Sequence, residues 1–256
     1  MPRWLQTVLA RIREDARAGR VRFTHKALRE LTALELGLDL DDCCDVLDKL
    51  GASDFAGRVK SLITSEWMYV FKPMVTGTRL HLKLILRREC IIISSTRRTT
   101  TMVTRAQPRS KVRRKGFGTR FPDDACPKCG TIMRERRATL RLPVNGEEVA
   151  VPDSAHLRCP KCGEVVLRMD EARKLRERAL QAYRSRYDLL SADEIRSIRE
   201  RHHLTQAQLA RLLRLGGNTI SRWESGRNVQ TAAMDVLLRL IRDIPESLRY
   251  LKRHAA

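Results

Sequence analysis

The sequence predicts a multidomain protein: an α+β N-terminal domain (residues 1–98), a small four-cysteine module (121–170) and an all-α five-helix helix-turn-helix domain (190–256). Three observations support this division. From Arg97 to Arg120 there are nine Lys and Arg and no acidic residue, which is typical of a solvated linker, here 99–120. The pentapeptide Cys-Pro-Lys-Cys-Gly then occurs twice. The last stretch has helical periodicity and two Ser/Thr-x-x-Glu/Gln sequences, which mark helix starts.

The composition favours nucleic acid as a partner, because the net charge is +21 and the pI is near 10.6. The alternative is a soluble protein that is merely rich in arginine. No apolar run approaches the roughly 20 residues of a membrane span, and the N-terminus lacks the apolar core of a signal peptide. Cys43, Cys44 and Cys90 lie in apolar segments without a framework of pairs, which suits a reducing compartment. We therefore expect a cytoplasmic protein that does not engage a membrane.

Three helices and then three strands are predicted in the N-terminal domain. Helical periodicity that ends near a glycine marks the helices, and Thr24 is the expected cap of the second. Alternating or continuous apolar runs with β-branched residues mark the strands. The predicted helices are Trp4–Ala18, Thr24–Leu36 and Asp41–Leu50, and the strands are Trp67–Lys72, Arg79–Arg87 and Cys90–Ser95. Together they predict a small antiparallel sheet with helices on one face.

The repeated pentapeptide predicts a metal site. Two C-x-x-C pairs, separated here by 29 residues, are typical of a closed four-thiolate zinc centre. A disulfide or a thioredoxin-like redox pair is the alternative, but neither pair lies in a βαβ pattern, and a redox pair would not occur twice. A full ligand shell leaves no position for water, so the Zn²⁺ would be structural. The predicted ligands are Cys126, Cys129, Cys159 and Cys162.

A helical connector at 171–189 leads into the C-terminal domain. Ser191-x-x-Glu194 and Thr205-x-x-Gln208 are capping boxes that open two helices. Gly216-Gly217 turns the chain before a third helix, Asn218 to Glu224. Helix, turn and helix at this spacing predict a helix-turn-helix, which two further helices complete.

The third helix would lie in the major groove of double-stranded operator DNA. Asn218 and Arg222 are four residues apart on one face and could bond adenine and guanine edges. Ile220 and Trp223 would pack inward, and Glu224 would form a structural ion pair. A domain that binds protein instead is the alternative. The predicted DNA-binding residues are Gln206, Asn218, Thr219, Ser221 and Arg222.

The four cysteines, followed by Thr205-Gln206-x-x-Leu209-Ala210 and Ile220-Ser221-Arg222-Trp223-Glu224-x-Gly226, resemble the MqsA antitoxins. The resemblance extends from Cys126 to the C-terminus. It implies a zinc domain that binds a toxin, and an Xre-type helix-turn-helix that binds operator DNA as a dimer. We therefore expect a homodimer formed through the C-terminal domain.

The N-terminal domain resembles the MqsR toxins, which are RelE-like endoribonucleases that cut mRNA. The matching stretches are Ala18–Arg22, Glu35–Asp39, Ser53–Phe55, Val75–Gly77 and Leu82–Lys83. The resemblance implies metal-independent cleavage, in which cations stabilise the charged phosphorane and one side chain moves the 2′-hydroxyl proton.

The expected catalytic residues of that family are partly replaced here. Met68 stands where a glutamine is expected, His81 stands near the tyrosine position, and Thr96 replaces a lysine. His81 could act as a general base near neutral pH. The opposite interpretation is a basic strand face that binds RNA or DNA without cutting it. The candidate catalytic residues are His81, Lys83, Lys60, Arg58 and Arg97.

Toxin and antitoxin in one chain predict an autorepressor with a tethered endoribonuclease-like domain. The zinc module would hold that domain inactive through an intramolecular or inter-subunit contact. A linker of about 22 residues spans on the order of 25 Å as a coil, which allows neutralisation in cis, and its cleavage would be a trigger. The alternative function is a dimeric transcriptional repressor whose N-terminal domain is catalytically inactive or a sensing module.

Overall fold

The fold is taken from a computed structural model that describes residues 1–34, 36–97 and 121–254, without the side chains of Ser95, Arg97 and Pro245. The predicted linker 99–120 lies outside the described residues. No helix within the described ranges combines the length and apolar character needed to cross a membrane.

The chain divides into two compact units. The first contains Met1–Ala138 and Asp153–Arg173, and the second contains Thr139–Pro152 and Lys174–Ala256. The first unit therefore joins the N-terminal domain to all four cysteines of the four-cysteine module. The second unit contains the helix-turn-helix.

Three α-helices and six strands are described in the N-terminal domain, and three further strands follow in the four-cysteine module. Thr24 caps the second helix, as predicted, because its side chain accepts a hydrogen bond from the Ala27 N–H. The elements are α1 (Arg3–Arg17), β1 (Val21–Thr24), α2 (His25–Thr32), α3 (Leu40–Asp48), β2 (Phe55–Lys60), β3 (Trp67–Phe71), β4 (Met74–Val75), β5 (Thr78–Leu86), β6 (Cys90–Arg97), β7 (Arg134–Val144), β8 (Glu147–Arg158), β9 (Val165–Arg168) and α4 (Met169–Arg186).

The sheet of the first unit is mixed, so the prediction of an antiparallel sheet is wrong. Its strands follow the order β2-β3-β5-β6-β1-β9. Strand β1 runs parallel to β6, with Val21 opposite Cys90, and antiparallel to β9. The three predicted strands are present as β3, β5 and β6, and β1, β2 and the short β4 are additional.

Two of the additional strands lack the sequence pattern that would reveal them. All four residues of β1 are buried, so the strand shows no alternation, and four residues are too few to separate strand from helix. Strand β2 has a register irregularity between Phe55 and Gly57, and Gly57 adopts a φ of 137°. A glycine at such an irregularity weakens the strand pattern in the sequence.

A row of three aromatic side chains, Trp4, Phe55 and Phe71, packs α1 against the edge of this sheet. The rings of Trp4 and Phe55 meet edge to face at 5.5 Å, and those of Phe55 and Phe71 at 5.6 Å. Phe71 is fully buried and lies opposite Leu82 of β5. Full burial of a side chain such as Phe71 contributes about 1.5–3 kcal/mol. Trp4 and Phe55 are half-buried, so each contributes less to anchoring the first helix.

Five helices of the second unit follow residue 190 and pack together. Buried apolar side chains from the helices, including Ile220, Trp223 and Leu238, form their core. Ser191 and Thr205 form the two predicted capping boxes. The helices are α5 (Ala192–Arg201), α6 (Gln206–Leu212), α7 (Thr219–Glu224), α8 (Ala232–Asp243) and α9 (Pro245–His254).

Candidate metal centre and nucleic-acid interface

The four predicted ligand cysteines converge on one point. Their sulfur atoms all lie within 4.8 Å of one another, with Cys126 Sγ 3.5 Å from Cys162 Sγ and Cys129 Sγ 3.4 Å from Cys159 Sγ. Thiolates around a tetrahedral zinc at 2.3 Å would be about 3.8 Å apart, so the cluster is close to that geometry. The separations are far too long for disulfides. The site can therefore hold a metal, and its four sulfurs would complete a closed shell.

Tight turns shape each half of this cluster. The glycines that follow the cysteine pairs, Gly130 and Gly163, have φ values of 76° and 73°, which side chains with a Cβ rarely adopt. A Cβ on Gly130 would also lie 2.7 Å from the Phe121 ring. The Lys128 N–H points at Cys126 Sγ at 3.4 Å. A hydrogen bond with Thr131 lowers the pKa of Cys129 to about 6, whereas burial raises the pKa of Cys126 and of Cys162. Without a metal, Cys129 is therefore the one of these three that is favoured as a thiolate.

Strand pairing joins the four-cysteine module to the N-terminal domain within the first unit. Strand β9, which follows the second cysteine pair, pairs antiparallel with β1. Phe23 lies opposite Leu167, and Thr24 lies opposite Val166. Main-chain hydrogen bonds thus extend the sheet of one segment with a strand of the other, which is a common mode of recognition between separate chains.

Buried Arg87 is the second connection between these segments. Its guanidinium pairs with both carboxylate oxygens of Glu66, at 2.9 and 2.8 Å, and the side chains of Arg87 and Glu66 are 1% and 12% exposed. The same guanidinium donates to the carbonyl oxygens of Ala125 and Cys126. It also lies 5.6 Å from the ring centre of Phe121. One cation therefore links a carboxylate of the N-terminal domain to the backbone of the first cysteine pair.

Arg22 makes a third connection on the same side of the sheet. It forms an ion pair with Glu89 and donates to the Asp123 carbonyl at 2.9 Å. Arg22 lies opposite Ile91, which lies opposite Ile85 of β5. Residues opposite each other in paired strands share a face, so Arg22 and Ile85 mark the face that meets the four-cysteine module.

The candidate catalytic residues do not form one cluster. On β5, His81 and Lys83 alternate with the buried Leu80, Leu82 and Leu84, so they share the face of Ile85.

Arg58 and Lys60 lie on the opposite face. Arg58 pairs in register with Tyr69, and Tyr69 pairs with Leu84, so Arg58 is on the Leu84 side. Lys60 is two residues further along the same strand and is exposed. Arg97 lies opposite Leu80, and its side chain is outside the described residues. The structure thus brings together His81 and Lys83 and separates Arg58 and Lys60 from them.

The helix-turn-helix presents most of the predicted DNA contacts at one helix. Asn218 and Ser221 are exposed at α7, and Thr219 and Arg222 are half-buried. Asn218 stands at the N-cap and makes no capping bond through its side chain. Ile220 and Trp223 are buried, as predicted.

Glu224 forms the predicted structural ion pair and also engages Gln206. Its carboxylate accepts from Arg199 at 2.6 and 3.0 Å and from Gln206 Nε2 at 2.8 Å. Burial opposes ionisation of Glu224, but the bonds from Arg199 and Gln206 outweigh it and lower the pKa. The side-chain amide of Gln206 therefore connects α6 to α7. This is the group that the sequence predicts to contact DNA.

Several contact residues carry no sequence signal that marks them. Arg87 and Glu66 are 21 residues apart, and neither belongs to a motif. Phe121 precedes the first cysteine pair by five residues, and its place against Gly130 follows only from the folded turn. A buried bidentate arginine pair can be recognised from geometry, not from spacing.

Comparison with known proteins identifies both halves of the chain. Residues 124–252, just over half of the chain, match MqsA, described as the antitoxin component of a bacterial toxin-antitoxin system. The N-terminal part is 36% identical over 92 residues to the mRNA interferase toxin MqsR of Escherichia coli (strain K12), covering 34% of this chain and 89% of that toxin. Over 62 residues the chain is 39% identical to antitoxin HigA-2 of Vibrio cholerae serotype O1, covering 24% of this chain and 60% of that antitoxin. The chain therefore belongs to the MqsA antitoxin family and is a toxin–antitoxin fusion, with a domain of the MqsR family ahead of the antitoxin.

Proposed function

We propose that this protein is a DNA-binding autorepressor that carries its own mRNA endoribonuclease-like toxin domain and holds it inactive through the zinc-bound four-cysteine module. It would act in the cytoplasm, where both mRNA and operator DNA are present. The observation that carries the proposal is the joint between the segments: the β1–β9 pairing and the buried Arg87. A toxin-family domain and an antitoxin-family module share one sheet in the first unit, as neutralisation in cis requires.

We infer that His81 and Lys83 form the centre of any nuclease site. They lie on the face that Arg22 shares, beside the four-cysteine module, so a docked module is well placed to restrict RNA access. His81 can move the 2′-hydroxyl proton, and Lys83 can stabilise the phosphorane. Arg58 and Lys60 are on the other face and would not touch the same phosphate.

Expression of residues 1–98 alone tests this proposal. We expect growth arrest and mRNA cleavage, and we expect His81→Ala to relieve both because the proton-transfer group is lost. Co-expression of residues 121–256 should also restore growth, by supplying β9 in trans. Lys49→Gln, at an exposed position after α3, is the matched control and should leave the arrest unchanged.

One observation favours the alternative function, a repressor with an inactive N-terminal domain. His81 and Lys83 lie on one face of the sheet and Arg58 and Lys60 on the other, so at most part of the expected charge surrounds one phosphate. Folded residues 1–98 that neither slow growth nor cleave RNA would establish this alternative and exclude the nuclease.

DNA recognition is proposed for α7. Arg222→Ala should weaken binding to the chain's own promoter by about 1–3 kcal/mol, because a bidentate arginine contact to guanine would be lost. A gel-shift or fluorescence-anisotropy titration at fixed salt measures this effect. Arg249→Ala, on α9 where Arg249 pairs with exposed Glu246, removes the same charge away from α7 and is the control. Equal affinities for the two variants would count against α7 as the reading helix.

Dimerisation is proposed through α8. Val236 and Leu240 are four residues apart on this helix and are 57% and 38% exposed, and Ile244 follows at its end with 45% exposure. Such a row of apolar side chains is suited to a symmetric contact with a second copy. Leu240→Glu should convert a dimer to a monomer in analytical ultracentrifugation, whereas Arg253→Glu, at an exposed position near the end of α9, should not. A dimer that persists in Leu240→Glu would place the contact elsewhere.

A further inference from the structure

Arg58 occupies an unusual position at the edge of the sheet. It lies on β2, the outermost strand at one end of the strand order, and its guanidinium carbon is 4.5 Å from the ring centre of Trp4 and 4.2 Å from that of Trp67. Trp4 belongs to α1 and Trp67 to β3. Two indole rings therefore hold a single cation by cation–π contact.

The N–H groups of Arg58 are not used by the described protein. Among the residues that the structure describes, no carboxylate, carbonyl or hydroxyl oxygen accepts a hydrogen bond from Arg58, and it forms no ion pair. Contact with ring faces leaves the in-plane N–H edge of a guanidinium available. An arginine with a fixed plane and free donors matches the oxygen atoms of a phosphodiester.

The charge around Arg58 also suits RNA. Strands β2 and β3 contain no Asp or Glu, and Lys60 is exposed on the same strand and face as Arg58. The nearest acidic residues along the chain are already engaged: Asp54 accepts from the Gly51 N–H, and Glu66 pairs with Arg87. A phosphate at Arg58 would thus meet a pair of strands that carries positive charge and no carboxylate.

The indole rings give this position a second means of binding single strands. Trp4 and Trp67 are half-buried, so each keeps part of its surface in solvent beside the cation. Aromatic rings next to cations bind unpaired bases by stacking while the cation contacts the backbone. A duplex hides its bases within the stack, so this combination favours single-stranded RNA.

We propose that Trp4, Arg58 and Trp67 form a single-stranded RNA-binding site, which we call the Trp–Arg site. It deepens the function proposed above, because it gives the toxin-like domain a contact for its RNA that is separate from the cleavage residues. The site is on the Leu84 side of the sheet, whereas Arg22, which contacts Asp123, is on the His81 side. The docked four-cysteine module therefore leaves the Trp–Arg site open, and the intact fusion can bind RNA while its toxin-like domain is held.

The test uses the full-length chain and a labelled single-stranded RNA whose 2′-hydroxyls are methylated, so that it cannot be cut. Excess duplex DNA occupies the C-terminal domain. Fluorescence anisotropy should show binding, and Arg58→Gln and Trp67→Leu should each weaken it about tenfold, the usual scale for loss of one stacked base. Lys49→Gln removes the same charge as Arg58→Gln, from an exposed position outside the site, and should change the affinity less than about twofold.

Arg58→Lys separates the site from general electrostatic attraction, since it keeps the charge and loses the planar fork. We expect it to bind RNA as weakly as Arg58→Gln, with a thermal midpoint close to that of the parent chain. Equal affinity of the parent, Arg58→Lys and Lys49→Gln chains would overturn the proposal. The cleavage hypothesis is tested independently by growth arrest and mRNA cutting with residues 1–98, and absence of RNA cutting there would not affect this binding measurement.

Discussion

Loss of the metal should unfold the four-cysteine module and release β9 from the sheet of the N-terminal domain. The free energy of binding at a structural zinc site is on the order of 10 kcal/mol, and it becomes folding free energy when the segment is too small for its own core. The buried residues packed around the cysteines are few, with Met133, Leu157 and Val166 as the apolar members. We therefore expect Cys159→Ser, or a strong zinc chelator, to abolish the ordered state of this segment.

The measurement combines metal analysis with hydrogen exchange. The parent chain should carry one zinc per polypeptide, and amides of β9 should be protected in it and exchange freely in Cys159→Ser. Cys44→Ser is the matched control, because Cys44 is half-buried on α3, far from the cluster in sequence, and burial raises its pKa to about 11. A Cys159→Ser chain that retains both metal and β9 protection would contradict a four-thiolate site.

This outcome also bears on toxicity, since β9 is the strand that joins module and toxin-like domain. If the nuclease is active, metal loss should produce growth arrest from the full-length chain, and His81→Ala should prevent that arrest. Metal loss without growth arrest in a chain whose residues 1–98 are toxic alone would show that the module restrains the domain by some other contact.

The parts of the fold that could be predicted are those with local patterns. The paired C-x-x-C sequences predict the cysteine cluster that the folded chain forms. They do so because all four ligand residues belong to two short repeated motifs. The capping boxes at Ser191 and Thr205 set the starts of α5 and α6, since each box depends on residues only three apart.

The joint between the two segments could not be predicted, because it depends on residues distant in the chain. The β1–β9 pairing brings Phe23 opposite Leu167, and both strands are four residues long. The distribution of the catalytic candidates over two faces could not be predicted for a related reason. The register of strand pairing decides which residues of neighbouring strands lie on the same face of the sheet. Strand β2 pairs with β3 in a register that places Arg58 on the face of Tyr69 and Leu84, opposite the face of His81.

Replacement of Arg87 should have the second large effect, and its neighbour offers a close control. Arg87→Met leaves the Glu66 carboxylate, only 12% exposed, without its partner and removes the donor for the carbonyls of Ala125 and Cys126. Breaking a buried ion pair from one side costs about 3–5 kcal/mol, because the remaining charge stays desolvated. Urea unfolding, followed by a probe in the first unit, should show this loss in the free energy of unfolding.

The adjacent Arg88 tests whether burial is the reason. Its side chain is 84% exposed, and its ion pair with Asp123 measures 3.7 Å, so Arg88→Met should cost less than about 1 kcal/mol. The double variant Arg87→Met/Glu66→Met should recover part of the loss, since no charge is left buried without a partner. If Arg87→Met and Arg88→Met were equally mild, Arg87 would not be a main anchor of the four-cysteine module. If Arg87→Met is severe and the double variant milder, the buried ion pair of Arg87 and Glu66 is what makes Arg87 important for the stability of the first unit.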